Sequence, residues 1–579
     1  MDGQIMKKLF VYSVLAAATA AAMQAQAFKF DTADDWDVRW DNTVKGNLMV
    51  RVQDQDPSVY DPNRAVPRAA AALADDATYS VDHGNFVSQR ADLLSELDVI
   101  WQDKYGFRVS GAGWYDFAYD GNSDAPQSGP TQGFPDAYST WGSLSVRPGE
   151  YTDAAKDLHY RGGELLDAFV FANFEVADAS ANVRVGRHTL YWGNSLLSTA
   201  AIHGFAGSMA ALDLAKGLGT PGSEAKELFI PNNKISTVVQ FNDQVTLNAF
   251  YALEFVPLRW PEGGTYFSLN EALTEDSEFL TAIPGGVGSP RFGFIANDYK
   301  SKDSGDFGFN LQYKIEAWDL ETAFIYMNNT DRLTSGLYGT NGADLTQGDR
   351  DLAAQTNAFL LGSYGWVYKD DIDTFGIALS KEMFDISWGA DFVYRNNNAL
   401  NPDLTQSLTG TGYTSPGDVD TGNNYPGPTG DTAHIVLNGL GLLNGDWGLW
   451  DGGQYLVELT LSDLLSFGEF ENKANTFVKE DKVCSNLSGV FRPTWYQVRS
   501  GWDLSVPASL SYTMSCKQAP NSAGGNEKVG NGSLAAQIDI DQTWTATLAY
   551  NVYFGPQPNG TAAFIKDRDN IALTVKRTF

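Results

Sequence analysis

Positive charge is in short supply in this chain. Forty Lys and Arg stand against 71 Asp and Glu, a formal net charge of −31. Phosphate backbones demand a basic surface, so nucleic acid is excluded as a partner. Histidine is limited to five positions and cysteine to two, Cys484 and Cys516, with no Cys-x-x-Cys pair. Neither a Gly-x-x-x-x-Gly-Lys-Ser phosphate loop nor a Gly-x-Ser-x-Gly elbow occurs, which removes the usual nucleotide-binding and hydrolase signatures. Beyond the N-terminal segment no run of about 18 apolar residues appears, so no transmembrane helix is expected. Linkers are missing too. A soluble chain of 579 residues would be expected to divide into domains, and no Pro/Ser stretch or charge run divides this one.

What the sequence does carry begins with an export signal. Lys7 and Lys8 precede an apolar run from Leu9 to Met23, and Ala25-Gln26-Ala27 has the small-x-small form of a cleavage site. Residues 1–27 read as a secretory signal peptide, and 28–579 as one mature domain starting at Phe28. At the other end, Trp544, Ala546, Leu548, Tyr550, Val552 and Phe554 alternate with Thr543, Thr545, Thr547, Asn551 and Tyr553. Side chains of a strand point alternately to opposite faces, so one face is apolar with aromatic ends and the other polar. The pattern returns in Ile571, Leu573 and Val575, and the chain closes on Phe579.

The same alternation recurs along the chain, and the connections alternate in length. Eighteen stretches are expected, at 36–52, 92–102, 105–118, 163–176, 180–192, 234–241, 244–255, 307–315, 317–326, 374–381, 384–394, 453–463, 469–480, 489–500, 503–514, 532–540, 542–554 and 569–579, with sixteen as the alternative count. Short turns such as Asn242-Asp243 and Glu382-Met383 exchange with long loops at 53–91, 119–162, 193–233, 256–306, 327–373 and 395–452. This is the pattern of an all-β transmembrane antiparallel β-barrel in the outer membrane, with short periplasmic turns and long outer loops. An even count places both ends at the periplasmic rim.

Parity then assigns the faces. Phe384, Ile386, Trp388, Ala390, Phe392 and Tyr394 are expected to meet lipid, leaving Asp385, Ser387, Gly389 and Asp391 in the lumen. Arg108, Ser110, Trp114 and Asp116 turn inward, as do Glu96 and Asp98. In 163–176 the inward set is Leu165, Asp167, Phe169, Phe171, Asn173 and Glu175. Arg184 and His188 share the luminal face of their strand. Charges are tolerated there because water reaches them, whereas each costs about 2–4 kcal/mol at mid-depth on the lipid side. They are either ordinary solvated residues or a selectivity constriction.

Two long loops break the rule that solvated loops are polar. Loop 193–233 holds Leu196, Leu197, Ile202, Phe205, Met209, Leu212, Leu214 and Leu218, an apolar surface that marks a buried element or a binding site. It is expected to fold inward, partly helical, and to pack on Trp114, Phe169 and Phe171 as a gate or a static plug. Loop 53–91, with Ala69 to Leu73, is expected to do the same. Loop 395–452, rich in Gly, Pro, Asn and Thr, reads instead as a mobile surface cap. Cys484 and Cys516 fall in consecutive connections at one rim of an exported chain and are expected to form a disulfide.

Catalytic and metal readings are weak. His188 and Ser195 near Asn194 have the residue types of a barrel lipase, but parity turns His188 away from the lipid face. Asp418-Val419-Asp420-Thr421-Gly422-Asn423 has the oxygen density of a calcium loop, yet Thr429 stands where the hand motif needs Glu. No cofactor, no metal ligand and no enzyme activity are expected, weak calcium binding at the rim being left open. Asp567-Arg568-Asp569 reads as a salt bridge of lumen or rim.

Several segments resemble one family. They are Asp82-His83-Gly84-Asn85-Phe86, Glu164-Leu165-Leu166-Asp167-Ala168-Phe169-Val170, Arg184-Val185-Gly186-Arg187-His188 with Tyr191-Trp192-Gly193-Asn194, Pro221 to Leu228, Gly264 to Ser268, and Asp567 to Asn570. In order and spacing they resemble the Gram-negative exported proteins of domain of unknown function 1302, over the whole mature chain. His188 and Asn194 depart from the family, which has Gln and an acidic residue there. The resemblance implies an outer-membrane barrel in settings of hydrophobic-compound uptake or export. The expected function is therefore a porin-like channel passing small, hydrophobic solutes across the cell outer membrane, with a structural or adhesive barrel as the alternative. Expected partners are outer-membrane lipid and lipopolysaccharide, a small-molecule solute and a periplasmic protein.

Overall fold

Alternating side chains put an apolar and a polar face on every long segment, and a sheet built from them is stable in a membrane only if its edges close. The computed structural model has this closure. It describes residues 28–30, 35–60, 75–121, 123–124, 150–197, 202–269, 279–283, 291–296, 299–333, 336–355, 358–402, 413–422, 425–445, 448–474, 479, 482–516, 527–556 and 565–579. The expected signal peptide and the run Ala69 to Leu73 lie outside the described residues.

Eighteen antiparallel strands form the wall. In chain order they are β1 Trp36–Arg51, β2 Phe86–Trp101, β3 Tyr105–Asp116, β4 Arg161–Val176, β5 Ala179–His188 and β6 Asn232–Gln240. Then come β7 Val245–Ala252, β8 Phe307–Ile315, β9 Leu320–Asn329, β10 Ile372–Met383, β11 Ile386–Ala399 and β12 Thr429–Leu443. The last are β13 Gly452–Phe467, β14 Val483–Arg499, β15 in two pieces (Trp502–Ser505 and Ala508–Ser515), β16 Gly530–Ile540, β17 Trp544–Phe554 and β18 Asn570–Thr578. Pro507 sits at the break in β15, where its missing N–H costs the ladder nothing. Each strand pairs with the next, and β18 pairs with both β17 and β1, so the barrel is closed. Phe579 exchanges both backbone hydrogen bonds with Asn42, at 2.9 and 2.7 Å. Arg577 lies with its guanidinium over the rings of Trp544 and Phe579.

The outer face is that of a membrane protein. Val170, Leu311, Phe324, Ile377, Phe392, Leu437, Leu534 and Leu548 are all exposed. Trp36, Trp101, Tyr105, Phe241, Trp318 and Phe384, exposed as well, ring the rim of short turns, Phe384 being 83% exposed. An apolar belt with an aromatic girdle is compatible with lipid and not with water. The chain is an outer-membrane β-barrel.

Eighteen strands were expected, but not these eighteen. Segment 429–443 is strand β12 in the wall, not part of a surface cap. Segment 469–480 is not a strand: Glu471–Lys473 is a single 3-10 turn, and residues 475–478 and 480–481 lie outside the described residues. The two errors cancel in the count. Alternation in β12 is blurred because Val436 is fully buried on the inner face while Gly439 and Gly441 leave the outer face unmarked. A packed interior accepts an apolar side chain as readily as lipid does.

A bulge corrects a second expectation. Opposite Ser110, strand β4 carries an extra residue, because Val109 pairs with Ala168 and Gly111 with Leu165. Such a bulge reverses which side chains face inward. Leu165 therefore faces lipid at 52% exposure, and Leu166, 6% exposed, faces the lumen. Asp167, Phe169 and Phe171 keep their expected side.

The outer loops are more structured than their composition suggests. Phe279–Ile283, Arg291–Ala296, Ala358–Val367 and Gly336–Gly339 form a separate four-stranded sheet within the segments 256–306 and 327–373 expected as loops. Tyr413, Val419 and Tyr425 of the expected cap are buried against Tyr338, Val367 and Ala399. Cys484 and Cys516 are disulfide-bonded, with Cα atoms 4.3 Å apart. Cys484 lies inside β14 and Cys516 just beyond β15, so the bond staples two neighbouring strands at the outer rim.

Candidate functional site

The loop between β5 and β6 leaves the wall at His188 and crosses the lumen. Its backbone turns at Gly193, and the Asn194 N–H donates to both carboxylate oxygens of Asp391, at 3.0 and 2.8 Å. The Asn194 side-chain amide donates to Asp391 and to the Leu379 carbonyl, while Asn438 donates to the Asn194 carbonyl. The next amides, Leu196 and Leu197, donate to Glu458 at 2.8 and 3.0 Å. Asp391, Asn438 and Glu458 stand on β11, β12 and β13, across the barrel from β5 in strand order. A carboxylate accepting backbone N–H groups makes a strong, charge-assisted bond, so these residues clamp the loop.

Beyond the clamp the loop packs as a plug. Arg395, buried on β11, donates to the carbonyls of Ile202, His203 and Gly204. His203 Nδ1 meets Ser462 Oγ at 3.1 Å, and the same hydroxyl meets His434 Nδ1 at 2.9 Å. Burial, with Arg395 adding, lowers the His203 pKa to about 3. Trp192, Phe205 and Met209 pack on Phe250, Ile325, Met327, Ala378 and Val393 of the inner wall. Gly376 permits this: a Cβ there would lie 2.5 Å from the fully buried Phe205 ring. The chain then makes the helical turns Ala206–Met209, Leu214–Gly219 and Ala225–Leu228, the second capped by Asp213. The inward fold and partial helicity match expectation, but the apolar partners do not. The greasy contact of Trp192, Phe205 and Met209 is with β7 and β9 to β11, whereas Trp114 lies under the Lys216 ammonium of the loop and Phe169 packs on Phe171 and His188.

That polar stretch meets a charged wall. Arg108 on β3 gathers Glu96 at 2.6 Å, Asp167 at 3.5 Å and Asp98 at 3.7 Å, so four of the charges expected in the lumen form one cluster. Lys226 of the plug joins it through Glu96, in the periplasmic half of β2. Lys216 bonds Glu164 at 2.8 Å, and Arg259 bridges Glu164 at 3.0 Å and Asp213 at 2.6 Å. Lys45 holds Glu227 at 3.1 Å, and Lys576 holds Glu224 at 2.5 Å. The salt bridges of the plug therefore fall on the wall of β1 to β4 and β18, where Leu218 alone adds an apolar contact with Met49, Val87 and Ala572, among the contacts of the described residues.

The remaining candidates fall elsewhere. Arg184 lies over Phe169, its Nε donating to Asn182. Phe171 fills the space beside Gly106. His188 is buried, its ring nitrogens meeting the Gly186 carbonyl and Ser236 Oγ at 2.9 and 2.8 Å. Both nitrogens are occupied, and Ser195 is not among their partners, so the lipase arrangement is not formed. Asp418 accepts hydrogen bonds from Thr414 and Ser415. Among the described residues no cluster of three or more His, Cys, Asp or Glu could hold a metal; Asn423 of the expected calcium loop lies outside them. Asp567 pairs with Arg51 at 3.1 Å and with Arg568, and both arginines lie 5.4 Å from the Tyr266 ring. This knot, wholly buried, ties three outer loops together at the rim.

Sequence reasoning missed Glu458, Asn438, Arg395, Lys45, Glu164 and Arg259. Glu458 carried a usable signal, a lone acid on the inward parity of an apolar strand. Asn438 was hidden with strand β12.

Taken together, the closed wall, the apolar belt and a loop clamped across the lumen define an outer-membrane barrel with an internal plug. Residues 8–579 match the family described as protein of unknown function (DUF1302), and the chain belongs to it. No curated protein matches the sequence. Solved structures with some likeness include OccAB4 of Acinetobacter baumannii, at 12% identity and a TM-score of 0.39, covering 95% of this chain and 99% of that one. OccD3 (OpdP) of Pseudomonas aeruginosa has 8% identity, a TM-score of 0.39 and coverage of 96% and 94%. The outer membrane protein OpdK of the same organism has 8% identity, a TM-score of 0.38 and coverage of 94% and 98%. At these values the likenesses carry no argument, and the barrel assignment stands on the strand pairing.

Proposed function

We propose that the protein is a gated outer-membrane channel for small solutes with an apolar body, and that the loop between β5 and β6 is its gate. The observation that carries this reading is the polar clamp. Asp391, Asn438 and Glu458 hold the loop by hydrogen bonds alone. The far end rests on salt bridges from Lys226 and Lys216 that water or a charged solute could replace. A static filler of the lumen needs no such exchangeable contacts. The luminal rings Phe169 and Phe171 beside the Arg108 cluster offer an apolar face next to charge, which suits a solute that is mostly hydrophobic with a polar end.

Deleting residues 198–220 tests the gate. Single-channel conductance in planar bilayers is expected to rise several-fold, with weaker discrimination among solutes of different polarity in liposome-swelling assays. Unchanged conductance and solute preference would place the loop outside the pathway. An adhesive or structural barrel would conduct poorly with and without the loop.

A further inference from the structure

The plug does not cover the lumen evenly. On β11 to β13, where it is clamped, the inward residues Asp391, Val393, Val436, Asn438, Glu458 and Thr460 are each 5% exposed or less. Strand β17 is the opposite case. None of its residues is buried, and it is the one wall strand of which this holds. Leu548 and Tyr550 are exposed toward lipid. The other parity faces the lumen, since Thr547 sits opposite Thr574, which meets the Pro221 carbonyl of the plug, and Tyr553 packs on Phe267 of an outer loop. On that inner face Thr545, Thr547, Ala549 and Asn551 are all half-buried. A water-accessible surface therefore climbs from the periplasmic end of β17 toward the outer rim beside the seated plug.

The neighbouring strands widen this surface. Ser533 pairs with both Asn551 and Ser509, and Asn531 pairs with Ser511, so these side chains share the luminal face. Ser509 and Asn531 are exposed, and Ser511, Ser533 and Gln537 are half-buried; Ala535, Thr513 and Ser505 are the buried members of the face. From Gln537 and Thr547 outward the face carries hydroxyls, amides and alanine, and no charge. Arg492 and Asp539, its charged residues nearer the periplasm, pair with each other at 3.5 Å. Hydroxyl and amide groups both donate and accept hydrogen bonds. They can stand in for the water around a hydroxylated solute, but they offer an ion no counter-charge.

From this arrangement we infer a second passage, open while the plug is seated, along the inner face of β15 to β17, which admits small uncharged hydroxylated solutes. It goes beyond the gated reading, because it needs a conducting barrel but no movement of the plug. The two routes differ in chemistry. One is uncovered when the clamp at Asp391 and Glu458 lets go, and the other is neutral and polar and lies across the lumen from that clamp's apolar neighbours.

Planar-bilayer recording and liposome swelling on the purified barrel test it, with erythritol as the neutral probe. Cys484 and Cys516 are bonded to each other, so a cysteine placed at Thr547 is the only free thiol. Wild type is expected to conduct with the plug in place and to admit erythritol. Thr547→Cys labelled with a bulky methanethiosulfonate is expected to lose about half or more of both. Ser509→Cys, on β15, is an independent second variant with the same expectation. Leu548→Cys, on the lipid face of β17, should be unaffected by the reagent. Thr547→Glu should shift ion selectivity toward cations about twofold or more. Folding is checked by heat-modifiable migration and labelling by mass. Folded Cys variants that do not label, or that label without loss of conductance, overturn the passage, as does an unshifted selectivity in Thr547→Glu. Conductance without erythritol entry overturns the solute class. A wild type closed until residues 198–220 are deleted overturns the passage and spares the gate. Loop deletion without effect, with the block at Thr547 retained, sinks the gate and spares the passage.

Discussion

Asp391 and Glu458 do the most work for their size. Each presents a buried carboxylate to main-chain amides of the plug, and each such charge-assisted bond is worth about 1.5–3 kcal/mol. Replacing either by its amide, Asp391→Asn or Glu458→Gln, keeps the volume and removes the charge. Plug release is expected to become roughly ten- to a hundredfold more frequent, read as larger, noisier single-channel currents with heat-modifiable folding unchanged. His203 adds a pH term. It faces Ser462, His434 and Arg395, and burial first, Arg395 second, lowers its pKa to about 3 from an ordinary value near 6.5. A base with a depressed pKa in the seated state favours seating fully above its free value, and that preference is lost as pH falls toward the seated value. Plug opening should therefore increase as bath pH drops from 6.5 toward 3. His203→Gln should flatten that dependence; a wild-type conductance independent of pH over this range would show that His203 does not reach the gate.

At the scale of elements, the plug and the strands differ in what fixes them. Strands are fixed by alternation and pairing, and the disulfide reinforces one pair. With a sequence separation of 32 between Cys484 and Cys516, loop-closure entropy assigns the bond roughly 3–4 kcal/mol. Neighbouring strands already hold the ends close, so the measured effect should fall at or below that value. Thiol counting on the unreduced, denatured protein should find none free. Cys484→Ser should lower the melting temperature without changing conductance, because the bond lies at the rim and away from the plug. The plug's inward fold was legible as an excess of Leu, Met, Ala and Phe in a loop that water should have made polar. Its destination was not. Apolar content states that a segment must be buried and leaves open which wall receives it. The choice of β7 and β9 to β11 depends on space beside Gly376 and on acids at 391 and 458, residues far away in sequence.

For the whole molecule, the barrel could be read from local pattern. A period of two sets the faces, alternating loop lengths set the two rims, and both follow from the chain's need to satisfy every backbone group in lipid. That is why fold class and the placement of Glu96, Asp98, Arg108, Asp167 and Asp391 on the luminal side were determined by sequence alone. Even there, local reading failed where the interior is packed. Strand β12 escaped because Val436 faces inward, and Leu165 was turned outward by a bulge that no periodicity announces. Tertiary structure alone decided which luminal residues meet. Arg108 collects acids from β2 and β4, Asp391 receives an amide from a loop that starts on β5, and Trp114 shares a cavity with His159 and the plug. Alternation is a property of one strand and its solvent, whereas these contacts depend on how far a loop reaches across a closed barrel, a distance that no single segment encodes.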